Sequence, residues 1–197
     1  MRKLTAIILF ALVLPLVMAS SAVAQTGAWG KPDPLTINIA NIEQKNNYWC
    51  WPAIIEQIIN WRGMGSSPSQ CELVNIANAY KGWQAINCCD DSARAECSRA
   101  GTEEEIKNLI TLYGGRATNI NPPTTAEEIY GHLMAKRVLL MGVEIEGTNN
   151  SHLYMVRGIS WAGDEAMLTI NDPAVSQSQT IKFSDAQNTW FYSLAVE

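Results

Sequence analysis

The chain has 197 residues, of which 47% are hydrophobic and 17% are charged, and its formal net charge is −5. These values indicate one ordinary globular domain and exclude a disordered chain, which has too few apolar residues to fold. The 14 lysines and arginines are spread thinly, so the sequence has no basic stripe for nucleic acid. We therefore expect no nucleic-acid partner.

The first 24 residues have the features of a secretory signal peptide. Two basic residues precede an apolar run over residues 4–19, and small residues follow up to Ala24. This order is the one that signal peptidase recognises. A membrane-spanning helix needs about 20 apolar residues, and this run is shorter and contains Pro15. We expect cleavage after Ala24 and a secreted or periplasmic protein without membrane association after that cleavage.

The domain is predicted to start after a short arm. Residues 25–34 contain glycine, proline and polar residues, so we interpret them as an N-terminal arm that precedes a domain over residues 35–197. The first helix is predicted from Cys50 to Arg62, where apolar residues recur at helical spacing. Pro52 is tolerated only in a first helical turn, so this helix begins near Cys50.

Three further helices are predicted. One covers residues 69–80, and the other two follow capping-box patterns, in which Thr102 and Thr125 each stand three residues before a glutamate. Residues 81–100 show neither a helix nor a strand pattern, and they contain three cysteines.

After Arg137 the pattern changes to that of strands. Apolar or alternating runs separated by turn residues cover residues 138–145, 153–160, 165–171, 179–183 and 189–196. Helices followed by such strands indicate an α+β fold, in which a helical lobe packs against an antiparallel β-sheet lobe.

The five cysteines, Cys50, Cys71, Cys88, Cys89 and Cys97, all follow the predicted cleavage site. Exported thiols tend to pair, and because five is odd at least one stays unpaired. The last four form a clustered set with neither a Cys-x-x-Cys spacing nor a nearby histidine, so we expect two disulfides and no metal site. A bond between Cys88 and Cys89 would be strained. The sequence leaves open Cys71–Cys88 with Cys89–Cys97 and Cys71–Cys89 with Cys88–Cys97.

Cys50 is the cysteine left over, and it stands where a thiol nucleophile is expected. The start of a helix carries partial positive charge, which stabilises a thiolate. A nucleophile also needs a general base, and the chain has two histidines, His132 and His152. His132 lies inside a predicted helix and is interpreted as a half-buried helical residue. His152 opens an apolar strand after a polar turn, so we predict His152 as the base.

Two further groups complete the predicted site. A hairpin between residues 153–160 and 165–171 brings His152 close to Asn171 and Asp172, either of which can orient the imidazole. Gln44 lies six residues before Cys50 in a polar loop, and its amide is a candidate donor to the oxyanion that forms in acyl transfer.

This ordered set resembles the papain-like cysteine peptidases. The resemblance is to the compact bacterial branch that includes bacteriocin-leader peptidases and some secreted effectors, and it covers residues 40–190. The matching elements are Gln44, the Cys50-Trp51 pair, His152 before an apolar strand, and Asn171-Asp172-Pro173. By this resemblance Cys50 is the nucleophile, His152 the base, Asp172 the orienting residue with Asn171 as the alternative, and Gln44 the oxyanion donor.

The resemblance implies a secreted thiol peptidase that cuts a peptide or protein substrate through an acyl-enzyme, without a cofactor. Only residues 25–43 separate the predicted cleavage site from Gln44. We therefore expect no autoinhibitory prodomain, and control by export, redox state or a separate inhibitor protein. Two alternatives stay open: an acyltransferase or amidase with the same residues, and a catalytically inactive, disulfide-stabilised binding module.

Overall fold

The computed structural model of the protein describes residues 30–63, 67–145, 147 and 151–197. The predicted signal peptide over residues 1–24, and the arm up to residue 29, lie outside the described residues. Residues from Lys31 to Glu197 pack as one unit. Within the described ranges, no helix combines the length and apolar character needed to cross a bilayer.

The predicted helices form, and their starts follow the capping residues. The helices are α1 (Cys50–Arg62), α2 (Gln70–Tyr80), α3 (Glu103–Leu112), α4 (Ala126–Met134) and a short α5 (Phe183–Gln187). α2, α3 and α4 each begin with a capping box, at Ser69, Thr102 and Thr125. In each box a glutamate carboxylate accepts a hydrogen bond from the backbone N–H of the cap residue. Gly63 ends α1 in the left-handed region at φ 64°, a conformation that glycine adopts without strain.

The strands form one antiparallel sheet with the spatial order β2-β7-β3-β4-β5-β6, and β1 pairs with β4. The strands are β1 (Leu35–Thr36), β2 (Ala117–Ile120), β3 (Val138–Glu144), β4 (Ser151–Ala162), β5 (Glu165–Asn171), β6 (Gln179–Lys182) and β7 (Trp190–Val196). The predicted hairpin is β4–β5, which turns between Ala162 and Glu165.

Three short elements differ from the sequence-based expectation, and the first is the two-residue strand β1, which pairs with β4. β2 lies among the helices in the sequence but joins the sheet, because its backbone pairs with the distant strand β7. Phe183 was expected to end a strand, yet it begins α5. Its side chain is buried against the sheet, and this packing places the short helix over that face.

The sheet is buried on both faces, which explains the continuous apolar run of β3. Leu140 packs with α1, α2 and α3 on one face, whereas Leu139 and Met141 pack with α4 and α5 on the other. This alternation follows from the two-residue repeat of a strand. α1 is the central helix, and Ile54 and Ile58 on it are almost completely buried. The helical layer therefore holds the start of α1 at one end of the sheet.

Candidate active site

Cys50 is the first residue of α1, and no side chain caps this helix. The preceding residue, Trp49, makes no capping hydrogen bond, and the first turn contains no acidic residue. The first N–H groups of a helix have no partner within the helix and carry its partial positive charge. They therefore favour an anion, such as a thiolate, at the position of the half-buried Cys50 side chain.

Cys50 is the free thiol among the described residues, because the other four cysteines are paired. Of the two pairings that the sequence left open, the structure has Cys71–Cys89 and Cys88–Cys97. The Cys71–Cys89 bond joins α2 to the irregular stretch over residues 81–100, and the Cys88–Cys97 bond closes a smaller loop within that stretch. Neither bond crosses to the sheet.

His152 lies at the start of β4 and contacts both Cys50 and Asp172. Its Nε2 is 2.7 Å from Asp172 Oδ1, and its ring also hydrogen-bonds with Cys50. Because Nε2 faces the carboxylate, Nδ1 is the nitrogen available to the sulfur. The three side chains thus form a chain of hydrogen bonds from a thiol through an imidazole to a carboxylate.

The hairpin brings these residues together on a diagonal. The register pairs Asn171 with Met155, and one further step sets Asp172 opposite Tyr154. A side chain two residues along the neighbouring strand is still within reach of the diagonal partner. Tyr154 packs edge-on against the imidazole, with the ring centroids 4.7 Å apart.

The surroundings of His152 favour its charged form. Burial alone lowers the pKa of the imidazole, but the hydrogen bonds to Asp172 and to Cys50 outweigh burial and raise the pKa from 6.5 to about 9. The imidazole is therefore protonated at neutral pH. This charge state suits an imidazolium that stabilises a thiolate and later donates a proton to a leaving group.

Asp172 is held in place by the chain on either side of it. Its Oδ1 accepts from the backbone N–H of Ala174 at 2.8 Å. Its carbonyl accepts from the Asn41 side chain, also at 2.8 Å. The carboxylate side chain is only 11% exposed. The hydrogen bonds fix the carboxylate that orients His152 Nε2.

Asn171 does not face the histidine. It is completely buried, and its Nδ2 donates to Gln57 Oε1 of α1 at 2.8 Å. Its Oδ1 accepts from Arg157 Nε at 2.8 Å and from the Ser178 hydroxyl at 2.6 Å. Adjacent residues of a strand point to opposite faces, so only one of this pair can reach His152. Gln57 and Arg157 belong to no sequence motif, so they were not among the predicted site residues.

Gln44 lies in the loop before α1, beside the turn that follows Asp172. Its backbone N–H donates to the Pro173 carbonyl at 2.8 Å. Its Nε2 donates to the Asn46 carbonyl at 2.9 Å, while its Oε1 is buried without a hydrogen-bond partner. One of the two Nε2 hydrogens is thus committed to Asn46, and the oxyanion role of Gln44 stays a prediction.

His132 lies in α4, among residues that line a separate cavity. It is half-buried, and burial lowers the pKa of its imidazole. No group of histidine, cysteine, aspartate or glutamate within the described ranges is arranged to hold a metal ion.

A cleft runs past Cys50 and His152 and widens on both sides of them. One cavity, of about 220 Å³, is lined by Trp51, Gly101 and Tyr192 among others. The other, of about 320 Å³, includes the exposed Tyr48 and Ile145. The segment over residues 97–101 is named here the cleft wall, because its last three residues, Arg99, Ala100 and Gly101, line these cavities from the helical side. A side chain at Gly101 would meet the Trp51 indole at 2.5 Å, so the wall backbone lies directly on that ring.

Comparison with solved structures shows the same fold. The peptidase domain of Streptococcus ComA, described as a bi-functional ABC transporter involved in a quorum-sensing pathway, aligns with a TM-score of 0.57 and 18% identity. The alignment covers 81% of this chain and 97% of that domain. The fold is thus the α+β fold of the papain-like peptidase domains, as predicted.

Two other solved structures align less closely. A double-glycine-motif protease from an AMS/PCAT transporter, in complex with the leader peptide, gives a TM-score of 0.46 and 11% identity over 84% of this chain and 96% of that chain. The peptidase domain of Streptococcus mutans ComA gives a TM-score of 0.43 and 14% identity over 80% of this chain and 97% of that chain. No significant match was found among curated proteins.

The family comparison covers most of the chain. The model of the Peptidase_C39-like family matches residues 36–194, a span that includes the α1 start, the β4–β5 hairpin and all five cysteines. The chain therefore belongs to the Peptidase_C39-like family, as its resemblance to the bacteriocin-processing branch of papain-like cysteine peptidases predicts.

Proposed function

We propose that the protein is a cysteine peptidase that hydrolyses peptide bonds with Cys50 as the nucleophile. The observation that carries this proposal is the hydrogen-bonded chain from Cys50 through His152 to Asp172. A disulfide partner or a packing residue needs no such relay. Cys50 also lies at an uncapped helix start, which provides the charge environment for a thiolate.

The reaction follows from these positions. Cys50 Sγ attacks the carbonyl carbon of the scissile peptide bond, and the carbonyl electrons move to its oxygen. When the intermediate collapses, the C–N bond breaks, and the His152 imidazolium donates its proton to the leaving amine. A thioester to Cys50 remains. Water then attacks that thioester and gives a proton to His152, the C–S bond breaks, and the carboxylic acid product leaves.

The oxyanion needs donors on the side of the α1 start. The backbone N–H of Cys50 belongs to the first helical turn and has no partner within the helix. The second hydrogen of Gln44 Nε2 is the other candidate, since only one of the two is given to Asn46. Both come from the segment that enters α1, so they are expected to act on the same oxygen.

A peptide substrate fits the form of the cleft. Within the described residues, no hydrogen bond uses the backbone N–H or C=O of Gly101, although this residue borders the cavity beside Cys50. An extended peptide pairs readily with free backbone groups of this kind. The same cavity is also lined by the exposed ring of Phe191, an apolar surface that suits side chains of such a peptide.

The proposal is tested by incubating the mature protein with a complex peptide mixture and mapping new termini by mass spectrometry. We expect new termini with the wild-type protein and none with the Cys50→Ala variant. Adding a primary amine separates hydrolysis from acyl transfer, because an acyltransferase yields products that carry the amine. A protein without Cys50-dependent termini, whose thiol also reacts as slowly as a free cysteine, would be a binding module instead.

We also propose that residues 1–24 direct export and are removed. The positive start, apolar run and small residues ending at Ala24 support this, together with two disulfides, which persist in oxidising compartments. Intact mass measurement of the protein recovered from the periplasm or medium checks the proposal. A mature chain beginning at Gln25 is the expected result, whereas an uncleaved chain in the cell contradicts it.

A further inference from the structure

The cleft wall is fastened to α1 by the two tryptophans that flank Cys50. Trp49 Nε1 donates to the Cys97 carbonyl at 2.8 Å, and Trp51 Nε1 donates to the Arg99 carbonyl at 3.2 Å. Both indoles are almost completely buried. The backbone of the wall therefore takes its position directly from the residues on either side of the nucleophile.

The side chain of Arg99 supplies a second fastening. Its guanidinium makes two hydrogen bonds to the Glu105 carboxylate, at 2.6 and 2.9 Å, and one to Asn78 Oδ1 at 2.8 Å. It also lies over two indole rings, 5.7 Å from the centroid of Trp51 and 5.8 Å from that of Trp83. One side chain thus contacts α1, α2, α3 and the irregular stretch between α2 and α3.

The partner of Arg99 is itself fixed. Glu105 is the third residue of α3, where its carboxylate also accepts from the Thr102 backbone N–H at 2.8 Å. Burial raises the pKa of this carboxyl, but the hydrogen bonds from Arg99 and Thr102 outweigh burial and hold the pKa below its usual value. Lys81 lies 3.3 Å from the same carboxylate. A bidentate contact to such an anchored group sets the direction of the guanidinium as well as its distance.

From this arrangement we infer that Arg99 is a positioning residue for peptide binding, which sets the distance between the cleft wall and Cys50. The inference rests on the proposed function. Arg99 contacts none of the reacting atoms. It borders the cavity beside Tyr48 itself, and it acts on the cavity beside Trp51 through the next residues of the cleft wall, Ala100 and Gly101. Its loss shifts the surface on which a peptide lies but leaves the Cys50–His152 pair unchanged.

This division of roles predicts a difference between large and small reagents. Iodoacetamide needs only the thiol and its base, whereas a peptidyl chloromethyl ketone must first bind along the cleft wall. We expect Arg99→Lys, which keeps the charge but not the planar fork or the ring stacking, to slow inactivation by the peptidyl reagent by about tenfold to a hundredfold. For peptide cleavage, KM rises while kcat changes little. The rate with iodoacetamide stays that of the wild-type protein.

The matched control is Arg94→Lys, in the same disulfide-linked stretch. Arg94 is half-exposed and makes one long ion pair, to Glu96 at 3.8 Å. Arg94→Lys should leave the rates of inactivation by iodoacetamide and by the peptidyl chloromethyl ketone unchanged. Circular dichroism establishes that each variant is folded. If Arg99→Lys does not fold, Glu105→Gln carries the same test, because it removes the charge that fixes the Arg99 guanidinium and leaves every residue that lines the cleft unchanged.

The outcomes separate this inference from the proposed function. Equal inactivation of the wild-type and Arg99→Lys proteins by the peptidyl reagent overturns the positioning role. An equal loss with both reagents also overturns it, because the defect would then lie in the thiol and its base. A wild-type protein that shows no preference for the peptidyl reagent contradicts the proposed function, and the inference falls with it.

Discussion

The start of α1 differs from the starts of the other long helices. At α2, α3 and α4, a serine or threonine and a glutamate three residues later satisfy the first N–H groups. Those helices also carry acidic residues in their first turn. At α1 both devices are absent, and Trp49 stands at the cap position. The chain therefore uses good capping residues wherever a helix only needs to be stable, and it omits them at the helix that presents Cys50.

The difference has an electrostatic meaning. A capping carboxylate would neutralise the positive end of α1 and compete with a thiolate for the same N–H groups. Leaving the end open reserves that charge for Cys50, while stability comes from burial of the helix among α2, α3 and the sheet. Substitutions on the two sides of this contrast should therefore differ in their effect on activity, from the largest at Cys50 to none at an ordinary helix cap.

The largest effect is expected from removing the sulfur at the open helix start. Cys50→Ala should abolish peptide cleavage, because the acyl-enzyme forms on the sulfur that this substitution removes. The side chain is half-buried at a cleft, so the folded structure should persist. Cleavage assays paired with thermal unfolding check this, and Cys50-independent turnover would contradict the mechanism.

The next effect concerns the partner that keeps His152 charged. Asp172→Asn removes a carboxylate that, together with Cys50, raises the imidazole pKa to about 9, and we expect kcat/KM to fall by about a hundredfold. The wild-type rate should decline as pH rises through about 9, where the imidazolium is lost. In the variant this decline should begin at lower pH. If the rate falls over the same pH range in both proteins, Asp172 does not hold the His152 imidazole in its charged form.

The same pKa predicts how the stability of the folded protein depends on pH. Because the folded pKa of His152 lies above its ordinary value of 6.5, its contribution is fully present below pH 6.5 and is lost as pH rises through about 9. Denaturant unfolding at several pH values measures this contribution. His152→Ala should remove that part of the pH dependence.

A smaller effect should follow from placing an acid beside the open helix start. Asn47 is exposed and borders the cleft next to Cys50. Asn47→Asp should slow alkylation of Cys50 by about two- to fivefold at low ionic strength, since a charge near a helix end changes stability by about 0.3–1 kcal/mol. Salt should reduce the difference. Asn47→Ser serves as the uncharged control, and equal rates for both variants would show that the helix end does not act on the thiol.

No effect on activity is expected from weakening an ordinary cap. Thr125 caps α4 by accepting from the Glu128 backbone N–H at 3.2 Å, far along the chain from Cys50. Thr125→Ala should lower the free energy of unfolding by about 1 kcal/mol and leave kcat/KM unchanged. Denaturant unfolding and cleavage assays measure the two quantities. Thr111→Ala, at an exposed position inside α3, should change neither.

Sequence patterns were sufficient for the elements whose signals are local. The boxes at Thr102 and Thr125, the proline in the first turn of α1 and the β4–β5 turn all depend on residues within one helical turn or one hairpin. β1, β2 and α5 were not predicted. β1 and β2 are defined by pairing with the distant strands β4 and β7, and α5 by burial of Phe183. All three are consequences of tertiary packing.

The same limit applies to the site. The sequence predicts Cys50, His152 and Asp172 in this order and keeps Asn171 as the alternative to Asp172, because the choice depends on which face of the sheet each of these two side chains points to. The disulfide pairing of Cys88 and Cys89 is a similar case, since neighbouring residues differ only in the direction of their side chains. Arg99 gave no sequence signal, because its contacts come from three helices.

The positions of the two bridges have a practical consequence for handling the protein. Cys89 is exposed, whereas Cys88 and Cys97 are 1% and 0% exposed. A reductant added to a stored sample meets Cys50 and the Cys71–Cys89 bridge before it reaches the buried one. A low concentration of reductant is therefore expected to restore an oxidised Cys50 without changing the cleft wall. A high concentration should also reduce the buried bridge, which should weaken peptide binding before it lowers the reactivity of the Cys50 thiol.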